Sequence, residues 1–240
     1  MAVFVIVGIR RSGIHAIQSY IEEQLGEVLI LNDIYPELNY WYYKKDALRN
    51  YKHTIAIFED RTFVDIVNAK IYEWMKPDYT ILILRDALNM MASRYKQLVD
   101  MDDKKPKRQR RLKMMFRLRT AAHLYARYAE EFLGKTDHLH AIKVNYNKFV
   151  RSAEHRAELG KALGLPDPEH FPCTVQDIAS GSSFDYLTKS EGKAHEMEVL
   201  DRWCHFESDE TFWKYFQPEM LRYSREIFDI FPEKQPNITD

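Results

Sequence analysis

The chain is short of the residues that mark several classes of protein. Of its 240 residues only two are cysteine, Cys173 and Cys204. They are too few and too scattered for a disulfide framework or a zinc cluster. No run of about 18 apolar residues occurs, so no segment is expected to span a membrane. An excess of one charge is missing too: 35 Lys and Arg face 36 Asp and Glu, a formal net charge of −1. A near-neutral chain is not, as a whole, a binder of polyanions. Ala2–Val7 is short, has no basic flank and runs straight into a glycine turn, which is not the pattern of a secretory leader. These gaps lead to the expectation of a soluble, cytoplasmic protein. No repeat or linker divides the sequence, so residues 1–240 are expected to form one domain.

What is present begins at the first twenty residues, AVFVIVGIRRSGIHAIQSYI. Phe4–Val7 is continuously apolar and reads as a buried parallel strand. Gly8 to Gly13 form a tight turn that contains Arg10 and Arg11. Ile14, Ile17 and Ile21 then recur at helical spacing. Strand, glycine-bounded turn and helix start together aim backbone N–H groups and the helix dipole at an anion. The nearest general pattern is G-x-x-x-x-G-K-[ST]. Both glycines are kept, but Ile14 and His15 stand where the lysine and the metal-binding hydroxyl belong. The loop is therefore suited to phosphate and poorly equipped for metal-dependent nucleotide chemistry.

Further along, apolar runs predict strands at Val28–Leu31, His53–Phe58, Tyr79–Leu84 and Leu139–Val144. Thr62 is placed to cap a helix, with Asp65 at the capping-box position. Helices are expected through Leu88–Tyr95, Leu112–Leu133 with Gly134 as its stop, and Ala153–Leu163. Two or three more finish the chain between about Met197 and Phe231. Tyr35–Tyr51 is aromatic and without period: a surface lid, an acceptor-binding loop or a packed connection. The charged block Asp102–Lys113 reads as a solvated loop leading into a helix, or its basic part, Lys104–Lys113, as a clamp for an anionic acceptor. Strands alternate with helices throughout, so the expected fold is α/β: an open, mostly parallel sheet with helices on both faces and a helical C-terminal part.

The stretch ILILRDALNMMASRY places Arg85 at the carboxyl end of a strand and Ser93 eight residues later on the next helix. Ligands of open α/β sheets sit beyond the carboxyl ends of the strands. Arg85 is thus expected beside the glycine loop, with Ser93 two helical turns on.

Taken together, RRSG after an apolar strand and the Arg85–Ser93 pair resemble the nucleotide motifs of sulfotransferases that use 3′-phosphoadenosine 5′-phosphosulfate (PAPS). VNYNKFVRSAEHRAELGKALGLP is similar to a further segment of that family, although Asn147 stands where an acid is usual. The resemblance covers about Phe4 to Pro166. It implies a P-loop-like fold and transfer of a sulfonate group from PAPS to a hydroxyl or amine, without a metal. It implies that Arg10, Arg11, Ser12, Gly13, Ile14 and His15 surround the 5′-phosphosulfate and that Arg85 and Ser93 hold the 3′-phosphate. Arg11 takes the place of the catalytic cation. Three departures stand out: Arg10 replaces a proline, Ile14 replaces a hydroxyl residue, and the family's basic glycine-rich loop near the C-terminus is not recognisable. SGSSF, with Ser182, Ser183 and Phe184, is its candidate replacement. For the base that takes the acceptor's proton, Glu59 ranks first and Asp33 second, both at strand ends. The acceptor is open, a carbohydrate and a lipid among the choices, and nucleic acid is not expected. The alternatives are a P-loop phosphotransferase or kinase, and a non-catalytic nucleotide-binding protein of the same fold.

Overall fold

The computed structural model describes residues 2–35, 51–69, 72, 76–101, 107–170, 184 and 198–230. Most of Tyr35–Tyr51 and of the SGSSF loop, Ser182 and Ser183 included, lies outside the described residues. In chain order the elements are β1 (Ala2–Gly8), α1 (Ile14–Leu25), β2 (Val28–Leu31), β3 (His53–Glu59), α2 (Phe63–Val67), β4 (Tyr79–Leu84) and α3 (Ala87–Met101). They continue with α4 (Lys107–Phe132), β5 (Ile142–Asn145), α5 (Tyr146–Arg151), α6 (Ala153–Ala162), a 3-10 turn (Arg202–Phe206), α7 (Glu210–Trp213) and α8 (Pro218–Phe228). None of the described helices is long and apolar enough to cross a membrane.

Five strands pair in the order β2-β3-β1-β4-β5, every pair parallel. β1 is the centre. Ala2 to Gly8 pair with His53 to Glu59 on one side, and Phe4 to Gly8 with Tyr79 to Ile83 on the other. Alternate residues of the strands feed two separate cores. Val5, Val7, Phe58, Leu82 and Leu84 pack under α3, α4 and α8. Phe4, Ile6, Ile57, Ile81 and Ile83 pack against α1, α5 and α6. Both faces are covered, which is why these strands read as unbroken apolar runs.

The order positions the site. The chain leaves β1 toward β2 on one side of the sheet, and leaves β4 toward β5 on the other. The adjacent strands β1 and β4 therefore send their following segments apart, and a crevice opens at their carboxyl ends.

Local signals set most boundaries. Thr62 and Asp65 form the reciprocal capping box at the start of α2. Gly134, at φ 74°, follows the end of α4. Three boundaries differ from expectation. α4 begins at Lys107, inside the charged block, because Lys, Arg and Gln are good helix formers. β5 starts later than Leu139: His140 has φ 46°, and the Leu139 N–H donates to Glu131. α5 precedes α6 because Asn145 caps it, and Ser152 then ends α5 and caps α6.

Ile57 is fully buried between β1 and β2 on the α1 face, whereas Val64 on α2 is exposed. Ile57→Ala is expected to cost about 2–5 kcal/mol of folding stability, and Val64→Ala less than about 0.5 kcal/mol. Equilibrium denaturation of both variants checks this, and similar losses would contradict the assignment of the core.

Candidate functional site

The turn after β1 is wound tightly. The Ser12 N–H donates to the Ile9 carbonyl at 2.9 Å, and Arg11 and Gly13 take left-handed conformations, φ 75° and 98°. A Cβ at Gly13 would overlap the Tyr146 ring, and one at Gly8 would press on Ile14 and Ser12. The cap of α1 is therefore bare, with no side chain to close over the first-turn N–H groups. The left-handed backbone at Arg11, a residue with a Cβ, costs about 1–2 kcal/mol, so its surroundings must hold it.

They do so through Asp60 and Arg94. The Asp60 N–H donates to Gly8, and its Oδ1 accepts the Arg10 N–H at 2.9 Å. Arg94, from α3, donates to both Asp60 oxygens at 2.8 to 3.1 Å and to the Arg10 carbonyl at 3.3 Å. The turn is thus clamped from β3 and α3 at once.

Arg85 stands directly behind the turn. Its Nη1 donates to the Arg11 carbonyl at 3.2 Å and to Ser93 Oγ at 3.4 Å; its Nη2 donates to the Val199 carbonyl. Ser93 Oγ also accepts from Arg202 Nη1 at 3.1 Å. Arg85 is 2% exposed, Ser93 0% and Arg202 5%. Arg85 Nε and Ser12 Oγ are buried without a hydrogen-bond partner among the described residues. Burial, reinforced by the charges of Arg202 and Arg11, pulls the Arg85 pKa down to about 10. Burial and then Arg202 bring Arg11 down to about 10 as well. The three guanidiniums repel one another here, while Glu59 offsets part of the charge at Arg11 and Asp86 part of that at Arg85.

A second group lies toward β2 and β3. Arg10 Nε donates to Glu59 at 2.8 Å, and Nη2 to Asp33 at 2.8 Å. Burial opposes the charge of Arg10, but attraction to Glu59 and then to Asp33 and Asp60 outweighs it and raises the pKa. The other Asp33 oxygen accepts from Arg61 at 3.0 Å. The other Glu59 oxygen is 3.6 Å from His15 Nε2, whose Nδ1 is 3.0 Å from Gln18.

A comparison with protein-family models and with curated proteins finds no match for this chain.

Among the residues expected at the site, the fold brings Arg11, Gly13, Arg85 and Ser93 to one place. Ser12 joins them with its hydroxyl turned inward toward Gly8. Ile14 is buried and offers only its backbone N–H. Arg10 is taken up by Glu59 and Asp33, so its side chain serves the acidic group. Phe184 lies 5.2 Å from the Arg202 guanidinium. Arg202, Arg94 and Tyr146 were not expected. Arg202 had one signal, a cation set in the apolar and aromatic stretch around VLDRWCHF.

The clamp carries a prediction. Burial would raise the Asp60 pKa, but the Arg94 charge and hydrogen bonds, with help from Arg10, lower it. Its stabilising effect is complete above the unfolded carboxylate pKa of about 3.9 and is lost as pH falls through the depressed native value. Asp60→Asn is expected to cost about 3 kcal/mol at pH 7. The gap to wild type should narrow in acid. Thermal melting from pH 7 to pH 3 checks this; a gap independent of pH would contradict it.

Proposed function

We propose that this chain is a sulfotransferase that moves a sulfonate group from PAPS to a hydroxyl or amine of an acceptor. The observation that carries the reading is the convergence of Arg11, Arg85, Ser93 and Arg202 where β1 and β4 part. The resemblance of RRSG and of the Arg85–Ser93 pair to the family's two nucleotide motifs supports it.

In this reading the first-turn N–H groups of α1 and the Arg11 guanidinium receive the phosphosulfate. Arg85, Ser93 and Arg202 receive the 3′-phosphate. Arg85 now donates to the Arg11 and Val199 carbonyls, so a phosphate oxygen would take the place of the Val199 carbonyl, with a shift of the segment that carries it. Phe184, whose ring lies beside Arg202, is the candidate to stack on the adenine.

Transfer is an in-line displacement at sulfur. The acceptor oxygen forms the new S–O bond. The old S–O bond breaks, and its electron pair leaves on the phosphate oxygen of adenosine 3′,5′-bisphosphate. Arg11 stabilises that growing charge more in the transition state than in the ground state. The acceptor proton passes to a base. Glu59 keeps first place: one oxygen holds Arg10, and the other faces His15. Both Asp33 oxygens carry a guanidinium, from Arg10 and Arg61, so neither faces the place an acceptor hydroxyl would occupy without displacing one.

The P-loop phosphotransferase reading has less support. Ile14 is buried under the turn, and His15 is held by Gln18 and Glu59, so neither supplies the missing cation and hydroxyl.

Radiolabelled PAPS incubated with the protein and a cell extract tests the proposal. Label is expected in a new product, and Glu59→Gln should lower the transfer rate by about 10²–10⁴-fold while leaving nucleotide binding nearly intact. A rate unchanged in Glu59→Gln but lost in Asp33→Asn would move the base to β2. No labelled product, together with a melting temperature raised by Mg²⁺ and ATP, would favour the phosphotransferase instead.

A further inference from the structure

α4 buries one face and leaves another bare. Met114, Leu118, Ala121 and Tyr125 pack into the core on the α3 side of the sheet. The opposite line, Arg108, Leu112, Phe116, Arg119 and His123, is exposed throughout. These residues follow one another at three- and four-residue steps, so they share one face. Leu112 is 54% exposed and Phe116 72%. From Lys107 to Arg119 there are seven Lys or Arg and no Asp or Glu, in a chain whose net charge is −1. The positive charge is therefore local to this helix, and its two most exposed apolar side chains lie in the middle of it.

The position of this face follows from the path of the chain. Tyr128, late in α4, donates to the carbonyl of Arg61, just past the carboxyl end of β3. From there α4 ends at Phe132 and the chain enters β5 at its amino end. Its earlier turns therefore extend beyond the carboxyl edge of the sheet. Phe116 lies twelve residues before Tyr128, about 18 Å along the axis at about 1.5 Å per residue. The basic face stands on the side of the sheet that carries the arginine cluster.

We propose that this face of α4 docks on an anionic lipid surface, lying on the membrane without crossing it. The charge fits acidic headgroups, which attract each nearby Lys or Arg. Leu112 and Phe116 fit the boundary between headgroups and acyl chains, while the arginines beside them reach back to the phosphates. An acidic polysaccharide or a nucleic acid would use the arginines but gives exposed Leu112 and Phe116 nothing to bury them.

Sedimentation of the full chain with vesicles tests the proposal. One set is phosphatidylcholine alone and the other contains phosphatidylserine. Wild type is expected to pellet with the anionic vesicles, not with the neutral ones, and to be released by salt. Leu112→Ser/Phe116→Ser and Arg108→Gln/Arg119→Gln should each weaken binding by about tenfold or more. Both pairs are exposed, so their melting temperatures should stay near wild type. Equal binding to the two vesicle types, no binding to either, or both variants binding like wild type would overturn the proposal. So would binding to heparin that the arginine variant loses and the Leu112→Ser/Phe116→Ser variant keeps, in a protein that ignores vesicles.

Discussion

Like charges held together away from water are the constraint on which the carboxyl edge of this sheet depends. Arg85 and Arg202 share one acceptor, Ser93 Oγ, and Arg85 also braces the Arg11 carbonyl. Burial and mutual repulsion make the cluster costly, and both Arg85 and Arg11 show it in lowered pKa values. Such a cost persists only where surrounding structure fixes the groups. Here the fixing elements are identifiable. β1 and β4 are adjacent, α3 carries Ser93 and Arg94, and the segment around Arg202 is tied to α3 by Asn89, which donates to the Leu200 carbonyl at 2.7 Å. A second buried network, Asp86 with Asn89 and Asn147, joins β4 to α5 beneath it.

The same edge separates charge by strand. Around β1 and β4 lie Arg11, Arg85 and Arg202; around β2 and β3 lie Asp33 and Glu59, held by Arg10 and Arg61. Asp60, paired with Arg94, sits between and locks the turn. In the proposed reading, the first side would neutralise the donor and its leaving oxygen, and the second would hold the base. Arg10 matters to this division because it turns away from the donor side. It fixes the acids, whereas the family resemblance implies a place for it among the donor's ligands.

The sheet was legible because its signals are local. Phe4–Val7 and Tyr79–Leu84 are apolar on both faces, and their length and bounding residues mark them as strands. The Thr62–Asp65 box and Gly134 mark helix ends by chemistry that spans only a few residues. Arg85 and Ser93 could be placed together because eight residues across a strand end and a helix bring them to one side. What the sequence hid is long-range. Arg202 reaches Ser93 across 109 residues and Arg94 reaches Asp60 across 34, and no spacing rule connects either pair. The turn of Arg10 toward Glu59 was hidden for the same reason, since 49 residues separate them. The short helix α5 was missed because Ser152 ends one helix and starts the next, so the periodicity runs on with a shift.

The central claim is that the arginine cluster is a built receptor for a nucleotide carrying two separate phosphates. Calorimetric titration with adenosine 3′,5′-bisphosphate in metal-free buffer, beside AMP, tests it most directly. The account predicts that the bisphosphate binds without metal and much more tightly than AMP. It also predicts that Arg85→Ala and Arg202→Ala each remove most of that advantage, since a charge-assisted hydrogen bond contributes about 1.5–3 kcal/mol. No binding of the bisphosphate, or equal binding of AMP, would contradict it.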